Sequence, residues 1–135
     1  MAAKKNTTIQ ATGKRKTSVA RVTLNNGTGV IRVNNEDVNS YFDSMVELKV
    51  MEPLMISGLG AKHDLKITVF GGGVQSQAEA VRQAIARALV EVSGEELRKT
   101  FIDYDRSMLI TDTRFKEMKK PNNSSARSKR QKSYR

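Results

Sequence analysis

The chain has 135 residues, a formal net charge of +10 and a sequence pI of about 10.1, and it contains neither cysteine nor tryptophan. That length fits a single domain, and the missing cysteines exclude disulfides and zinc–thiolate sites. No secretory leader or membrane-length apolar run is recognisable, so we expect a soluble, cytoplasmic protein.

Basic residues concentrate at the two ends of the chain. Residues 1–33 hold seven Lys or Arg and no acid, and residues 114–135 hold nine against a single Glu. The stretch between them holds eight basic and thirteen acidic residues. This segregation favours a polyanionic partner, either nucleic acid or an anionic membrane surface, that contacts the ends of the chain.

The first part of the chain is predicted to be β-structure after a flexible N-terminus at residues 1–6. Residues 7–12 are compatible with a short strand, and the β-branched run 18–24 predicts a second. The segment 25–29, Asn-Asn-Gly-Thr-Gly, is typical of a hairpin turn because Asn and Gly tolerate positive φ. We therefore expect residues 30–33 to pair back on 18–24.

Helical spacing begins in the middle of the chain. Residues 37–42 predict a short helix and residues 45–56 a longer one, which is expected to start or kink at Pro53. The cleanest alternation in the chain lies at 64–70 and predicts a strand with its apolar residues on one side.

The clearest helix follows three glycines at 71–73. No Gly-Lys-Ser/Thr follows them, so a tight strand-to-helix turn is favoured over a nucleotide phosphate loop. The apolar stripe of the helix consists of Ala78, Val81, Ile85, Ala88, Leu89 and Val92. The polar side opposite consists of Glu79, Arg82, Gln83 and Arg87.

A further short helix is expected at 95–101, and apolar periodicity ends at about Asp112. The pattern predicts an α+β fold in which helices pack on a mixed β-sheet. We expect one globular domain over residues 7–112 and an extended basic tail over 113–135.

Two basic clusters are candidate nucleic-acid contacts. Spaced cations on an extended path can each neutralise a different phosphate and release counterions. The tail supplies Arg114, Lys116, Lys119, Lys120, Arg127, Lys129, Arg130 and Lys132. The segment 12–18, interpreted as a loop entering a strand, supplies Lys14, Arg15, Lys16, Thr17 and Ser18. A solvated basic tail, or a localisation signal, is the alternative interpretation of the first cluster, and ordinary surface charge that of the second.

Catalytic chemistry has little support in the sequence. His63 is the single histidine, and Asp103 and Asp105 are a carboxylate pair by spacing alone. A lone histidine is far more often structural than catalytic. We expect no enzyme activity, no cofactor and no small-molecule substrate.

Several segments together resemble one protein family. Gly-Lys-Arg-Lys-Thr-Ser-Val-Ala-Arg-Val at 13–22 and the segment 71–89 resemble two signatures of the ninth small-subunit ribosomal protein family. Tyr-Asp-Arg-Ser-Met-Leu at 104–109 and the ending 126–135 complete the set in the same order. Each motif is moderately specific, and the ordered set is highly specific.

The resemblance implies a compact α/β domain in the head of the 30S subunit that binds small-subunit ribosomal RNA. It adds Arg21 to the RNA-contacting residues and implies neighbouring head proteins as further partners. The family's tail reaches the peptidyl-site tRNA, and here that role would fall to Arg135, with Tyr134 and Ser133 beside it. Tyr134 also offers a ring on which a base can stack.

The chain departs from many bacterial members of the family at its end. Those members end in Ser-Lys-Arg, whereas this chain ends in Ser-Tyr-Arg at 133–135, as in the archaeal and eukaryotic branch. Ser76 stands where the internal motif often has Gly. Two alternatives to a ribosomal role are a free regulatory nucleic-acid-binding protein and a small hydrolase that uses Asp103 and His63.

Overall fold

A computed structural model describes residues 8–134 of the chain. Its strands are β1 (Ile9–Arg15), β2 (Ser18–Asn26), β3 (Ile31–Val33), β4 (Glu36–Asp37) and β5 (His63–Phe70). Its α-helices are α1 (Val38–Tyr41), α2 (Ser44–Ser57), α3 (Val74–Ser93) and α4 (Glu95–Tyr104). The predicted α+β class with a mixed sheet is confirmed.

The sheet order corrects one sequence prediction. The strands lie in the order β1-β2-β5-β3-β4, with β3 parallel to β5 and the other neighbours antiparallel. The predicted hairpin between residues 18–24 and 30–33 is therefore wrong, because β5 lies between those strands. The connection does contain an Asn-Gly pair, but β5 pairs with both β2 and β3 and so separates these two strands.

Asp64 at the start of β5 holds that connection in place. Its Oδ1 accepts hydrogen bonds from the backbone N–H groups of Thr28, Gly29 and Val30 at 2.8, 2.9 and 3.0 Å. These bonds, led by the one from Val30, hold the pKa of Asp64 below its usual value. The Asp64 carboxylate thus holds in place the connection that leads from β2 to β3, on the other side of β5.

Alternation along the strands gives the sheet one covered and one open face. Leu65, Ile67 and Val69 of β5 are buried, as predicted, while Lys66 and Thr68 between them are exposed. Strands β1 and β2 show the same alternation. The buried side chains of all three strands therefore point to the helices, and the opposite face is in contact with solvent.

Helix α3 lies close against β1 because small residues face each other. A Cβ atom on Gly13 would stand 2.1 Å from the carbonyl oxygen of Ala80 and 2.7 Å from the nitrogen of Ala84. Such distances are far below van der Waals contact, so only glycine permits this approach.

The predicted polar side of α3 is partly wrong. Arg82 and Gln83 are only 7% and 3% exposed, whereas Val92 of the predicted apolar stripe is 39% exposed. The reason is that α3 packs against β1 and β2, against α2, and against the segment that follows α4. A helix enclosed on several sides buries polar residues wherever they find partners.

The remaining helices follow the predictions closely. Helix α2 continues through the buried Pro53 and ends at Ser57, and Gly58 caps it in the left-handed conformation with a φ of 64°. Helix α4 runs three residues beyond the predicted end at residue 101. In the described part of the tail, residues 113–134, there is no helix or strand. No helix among residues 8–134 is both long and apolar enough to cross a membrane.

Candidate nucleic-acid interface

The basic cluster at residues 12–18 forms the tip of a β-hairpin. Strands β1 and β2 pair from Ile9 opposite Leu24 to Arg15 opposite Ser18, so Lys16 and Thr17 make a two-residue turn. The predicted loop entering a strand is therefore corrected to a strand, a tight turn and a second strand. Lys16 takes a φ of 52°, a region that side-chain-bearing residues adopt rarely. The turn raises two exposed cations, Lys14 and Lys16, at one end of the sheet.

Two predicted contact residues of this cluster are engaged inside the protein. Ser18 is fully buried, and its hydroxyl donates a 2.9 Å hydrogen bond to the carbonyl oxygen of Gly71. The Nε of Arg15 lies 2.6 Å from Glu79 Oε2, and its guanidinium also pairs with Asp112. Ser18 therefore has no surface to offer an RNA strand, and Arg15 acts first as a structural cation.

The glycine turn at 71–73 explains why Ser18 is buried. Gly71 and Gly72 have φ values of 77° and 65°, and a Cβ on Gly72 would stand 2.1 Å from Ser18 Oγ. The Gly71 carbonyl also accepts a 3.1 Å bond from Gln77 Nε2. The predicted strand-to-helix turn is confirmed, and its backbone packs against the hairpin.

Asp112 anchors the origin of the tail to the hairpin. Its carboxylate accepts hydrogen bonds from the Arg114 side chain at 2.7 and 2.9 Å, from the Arg114 backbone N–H at 2.9 Å, and from Arg15. These bonds, those of Arg114 first, hold the pKa of Asp112 far below its usual range. One residue further on, the Phe115 ring lies 5.3 Å from Lys14 Nζ in a cation–π contact.

A second set of contacts, centred on Arg82, fixes the chain between α4 and Asp112. Its NH1 donates to Asp105 Oδ2 at 2.8 Å, and its Nε lies 2.6 Å from Glu52 Oε2, outside hydrogen-bonding angles. Burial acts to raise the pKa of Asp105, but hydrogen bonds from Ser107 and Arg82 outweigh it and lower the pKa. This ion pair was not predicted from the sequence, although Asp105 lies within the family motif at 104–109.

Arg87 ties the same segment to β1. Its guanidinium donates to the carbonyl oxygens of Leu109 and Thr12 and to the hydroxyl of Thr111, at 2.7 to 3.0 Å. Burial lowers the pKa of Arg87. These hydrogen bonds hold residues 109–111 beside the hairpin before the tail begins.

The cleft of about 420 Å³ between the hairpin, α3 and the tail origin is lined by charges of both signs. Most of them pair with one another, including Lys49 with Glu79 at 2.9 Å. Burial acts to raise the pKa of Glu79, but Lys49 and Arg15 outweigh it and lower the pKa. The salt bridges that line the cleft therefore join the start of the tail to the rest of the protein.

The basic residues of the tail beyond this anchor are all exposed in the described chain. They are Lys116, Lys119, Lys120, Arg127, Lys129, Arg130 and Lys132. Arg127 pairs with Glu117 at 2.8 Å, but exposed pairs of this kind contribute little free energy. Ser133 is exposed, and Tyr134 is 93% exposed. Arg135 lies outside the described residues.

The residues weighed for catalysis do not form a site. His63 is buried at the start of β5, Asp103 is exposed on α4, and Asp105 is paired with Arg82. Within residues 8–134 no group of His, Cys, Asp and Glu is arranged to hold a metal ion.

Comparison with known proteins identifies the family. Residues 13–135 match the family model described as ribosomal protein S9/S16. The small ribosomal subunit protein uS9 of Halobacterium salinarum is 48% identical over 126 residues, which cover 91% of this chain and 96% of that protein. The protein of the same name from Methanococcus maripaludis strain C7 is 41% identical, covering 94% and 98%. The chain therefore belongs to the ribosomal protein S9/S16 family, the family of these small-subunit proteins, whose members are structural constituents of the ribosome and not enzymes.

Proposed function

We propose that this ribosomal protein binds small-subunit ribosomal RNA through the hairpin tip and the basic tail. We further propose that the last residues of the tail, Ser133, Tyr134 and Arg135, contact the tRNA in the peptidyl site. Contact with neighbouring proteins of the subunit head remains a prediction.

The observation that carries the proposal is the anchoring of the tail. Asp112 binds both Arg15 of the hairpin and Arg114 of the tail, and Phe115 lies against Lys14. The two basic clusters, which are about a hundred residues apart in sequence, are thereby brought to one place on the molecule. An RNA that neutralises one cluster is already beside the other, so its phosphates can meet both in one path.

The predicted contact residues differ in whether their side chains are free to bind RNA. Lys14, Lys16, Thr17 and Arg21 are exposed and can reach phosphate or ribose. The exposed cations of the tail supply further contacts, at Lys116, Lys119, Lys120, Arg127, Lys129, Arg130 and Lys132, of which Arg127 also pairs with Glu117. Arg114 is exposed but already pairs with Asp112, and Arg15 already pairs with both Glu79 and Asp112. Ser18 is left out because it is buried.

Salt dependence of binding tests the RNA contact. The triple variant Lys129→Gln, Arg130→Gln, Lys132→Gln removes three cations of the tail. The slope of log affinity for small-subunit RNA against log salt should become shallower by about 0.7–0.9 for each phosphate that is no longer neutralised. A matched triple variant, Lys62→Gln, Arg98→Gln, Lys99→Gln, removes three exposed cations elsewhere and should leave the slope unchanged. Equal slopes for the two triple variants would contradict the proposal.

Association with the ribosome is tested separately. The chain should co-sediment with small subunits after a high-salt wash, and recovery only in the free pool would instead indicate a regulatory protein acting off the ribosome.

Removal of Tyr134 and Arg135 tests the tRNA contact. The shortened chain should fold and enter the subunit normally, because both residues lie far along the tail from the anchor at Asp112. Subunits that carry it should retain less peptidyl-site tRNA in a filter-binding assay. Equal tRNA retention by subunits with the intact and the shortened chain would exclude a role for these residues.

A further inference from the structure

The open face of the sheet carries a second, ordered set of cations. Strand pairing places its side chains in rows that cross the strands; one row, beside the β2–β3 connection, holds Asn25 and Asp64, and three further rows follow it. Of these three, the first row holds Gln10, Thr23, Lys66 and Arg32; the second holds Thr12, Arg21 and Thr68; the third holds Lys14, Val19 and Phe70. Only Lys14 and Arg21 belong to the sequence-predicted contact residues.

The cations of this face lie on one line across the strands. Arg32 stands directly opposite Lys66, Lys66 is diagonal to Arg21, and Arg21 is diagonal to Lys14. Diagonal neighbours on adjacent strands are about 7–8 Å apart. Beyond Lys66 each step moves one strand across and one row along, so the four charges run from β3 to β1.

Acidic groups near the face are already engaged at its margin. Asp64 accepts the three amides of the β2–β3 connection, and Asp37 lies 3.9 Å from Arg32 at the β4 edge. Among the described residues, Lys14, Arg21 and Lys66 have no salt-bridge partner. The centre of the face is therefore positive without internal compensation, which is the charge complement of a phosphate backbone.

Phe70 adds a flat apolar surface beside this line. It ends β5 opposite Val19, and 62% of it is exposed. An isolated aromatic side chain on an open sheet among Lys, Arg and Thr is the arrangement on which an unpaired base stacks. The bases of a duplex are stacked on each other and cannot use such a ring.

The line of cations also leads to the tail. Its last member, Lys14, is the residue whose Nζ lies 5.3 Å from the centre of the Phe115 ring. The line of cations on the sheet thus ends at a hairpin residue that contacts the start of the tail.

We propose that the open sheet face binds a single-stranded segment of RNA, whose phosphates follow the line Arg32–Lys66–Arg21–Lys14 and one of whose bases stacks on Phe70. The inference rests on the proposed function, because it assumes the same RNA partner. It extends that interface from the hairpin and tail to β5 and β3.

Fluorescence anisotropy of the full chain with a labelled twelve-nucleotide oligouridylate tests the phosphate line. The double variant Arg21→Gln, Lys66→Gln should make the log–log salt slope shallower by about 1.4, which corresponds to two single-strand phosphate contacts. The matched double variant Lys62→Gln, Lys99→Gln removes two exposed cations away from the face and should leave the slope unchanged. All four positions are exposed, so thermal unfolding should match that of the intact chain.

The stacking contact is tested with Phe70. Phe70→Ala should weaken oligouridylate binding about 5- to 150-fold, as expected for the removal of one base–aromatic stack. Phe70→Tyr keeps the ring and should retain the affinity. Neither change should alter the affinity for a twelve-base-pair RNA duplex.

The outcomes separate this inference from the function on which it rests. If the double face variant and Phe70→Ala both bind like the control while the tail triple variant has a shallower slope, the sheet inference is overturned and the tail proposal stands. If the face variants bind more weakly and the tail variant does not, the sheet inference stands and the proposed RNA contact of the tail is overturned. Equal weakening by Phe70→Ala for the single strand and the duplex would overturn the base-stacking contact.

Discussion

Arg82→Met should destabilise the protein by about 2–3 kcal/mol. The Arg82 side chain is 9% exposed, and its guanidinium lies between Glu52 and Asp105. Removal of one partner of a buried ion pair typically costs about 3–5 kcal/mol. The two carboxylates are 32% and 36% exposed, so water recovers part of that cost. Methionine fills most of the vacated volume, which limits the contribution of a cavity.

Thermal unfolding of the full chain, followed by circular dichroism, measures this destabilisation. For a protein of this size about 1 kcal/mol corresponds to roughly 3–4 °C, so the melting temperature should fall by about 6–12 °C. Arg98→Met is the matched control, because that arginine is exposed and its ion pair with Glu95 spans 3.7 Å on the surface. It should change the melting temperature by less than about 2 °C.

A second substitution at Glu52 distinguishes the cause. Arg82→Met combined with Glu52→Met should be more stable than Arg82→Met alone, because the double variant no longer leaves that carboxylate without its cation. A destabilisation below about 1 kcal/mol in the single variant would show that the ion pairs of Arg82 contribute little to stability, and no recovery in the double variant would show that the unpaired Glu52 carboxylate is not the cause.

Three further results are expected. Because Arg114 and Arg15 lower the pKa of Asp112, the Asp112 carboxylate should stay ionised as the pH falls past its ordinary pKa of 3.8. The stability that this carboxylate contributes should be lost completely only at still lower pH. An NMR titration of the Asp112 carboxyl carbon with a midpoint near 3.8 would refute this. Gly13→Ala should cost about 1–3 kcal/mol or prevent folding, because its Cβ meets the backbone of α3, whereas Gly73→Ala, with nothing within 4 Å of its Cβ, should be nearly neutral by chemical denaturation. Lys16→Gly should raise stability by about 0.5–1 kcal/mol by relieving the positive φ, yet make the RNA salt slope shallower by about 0.7–0.9, and changes of the same sign in stability and RNA affinity would contradict that reasoning.

Local patterns predicted most elements of this fold but not their pairing. The alternation of β5 and the stripe of α3 are properties of neighbouring residues, and both elements are present where the sequence placed them. The partner of β3 is decided by β5, more than thirty residues further along, and by the Asp64 carboxylate that holds the connection. No rule of hairpin chemistry at Asn-Gly contains that information.

The candidate interface was predictable as charge but not as geometry. Segregated Lys and Arg identified both basic clusters, yet the sequence could not show that Arg15 is engaged by Glu79 and Asp112 or that Ser18 is buried. Such assignments depend on residues 53 to 97 positions away. Phe70 was missed because, within its strand, it differs from a core residue only by its parity.

The anchor at Asp112 has a consequence for the order of assembly. Tyr134 lies twenty positions beyond Arg114, a length of chain that spans at most about 66–72 Å when fully stretched and about 25 Å on average as a flexible chain. Under the proposed function, every contact that the tail makes after the domain has bound RNA is intramolecular and benefits from an effective concentration set by that short tether. On that proposal, binding of the domain is the bimolecular, concentration-dependent step of assembly, and the tail then contacts RNA within the small volume that its length allows.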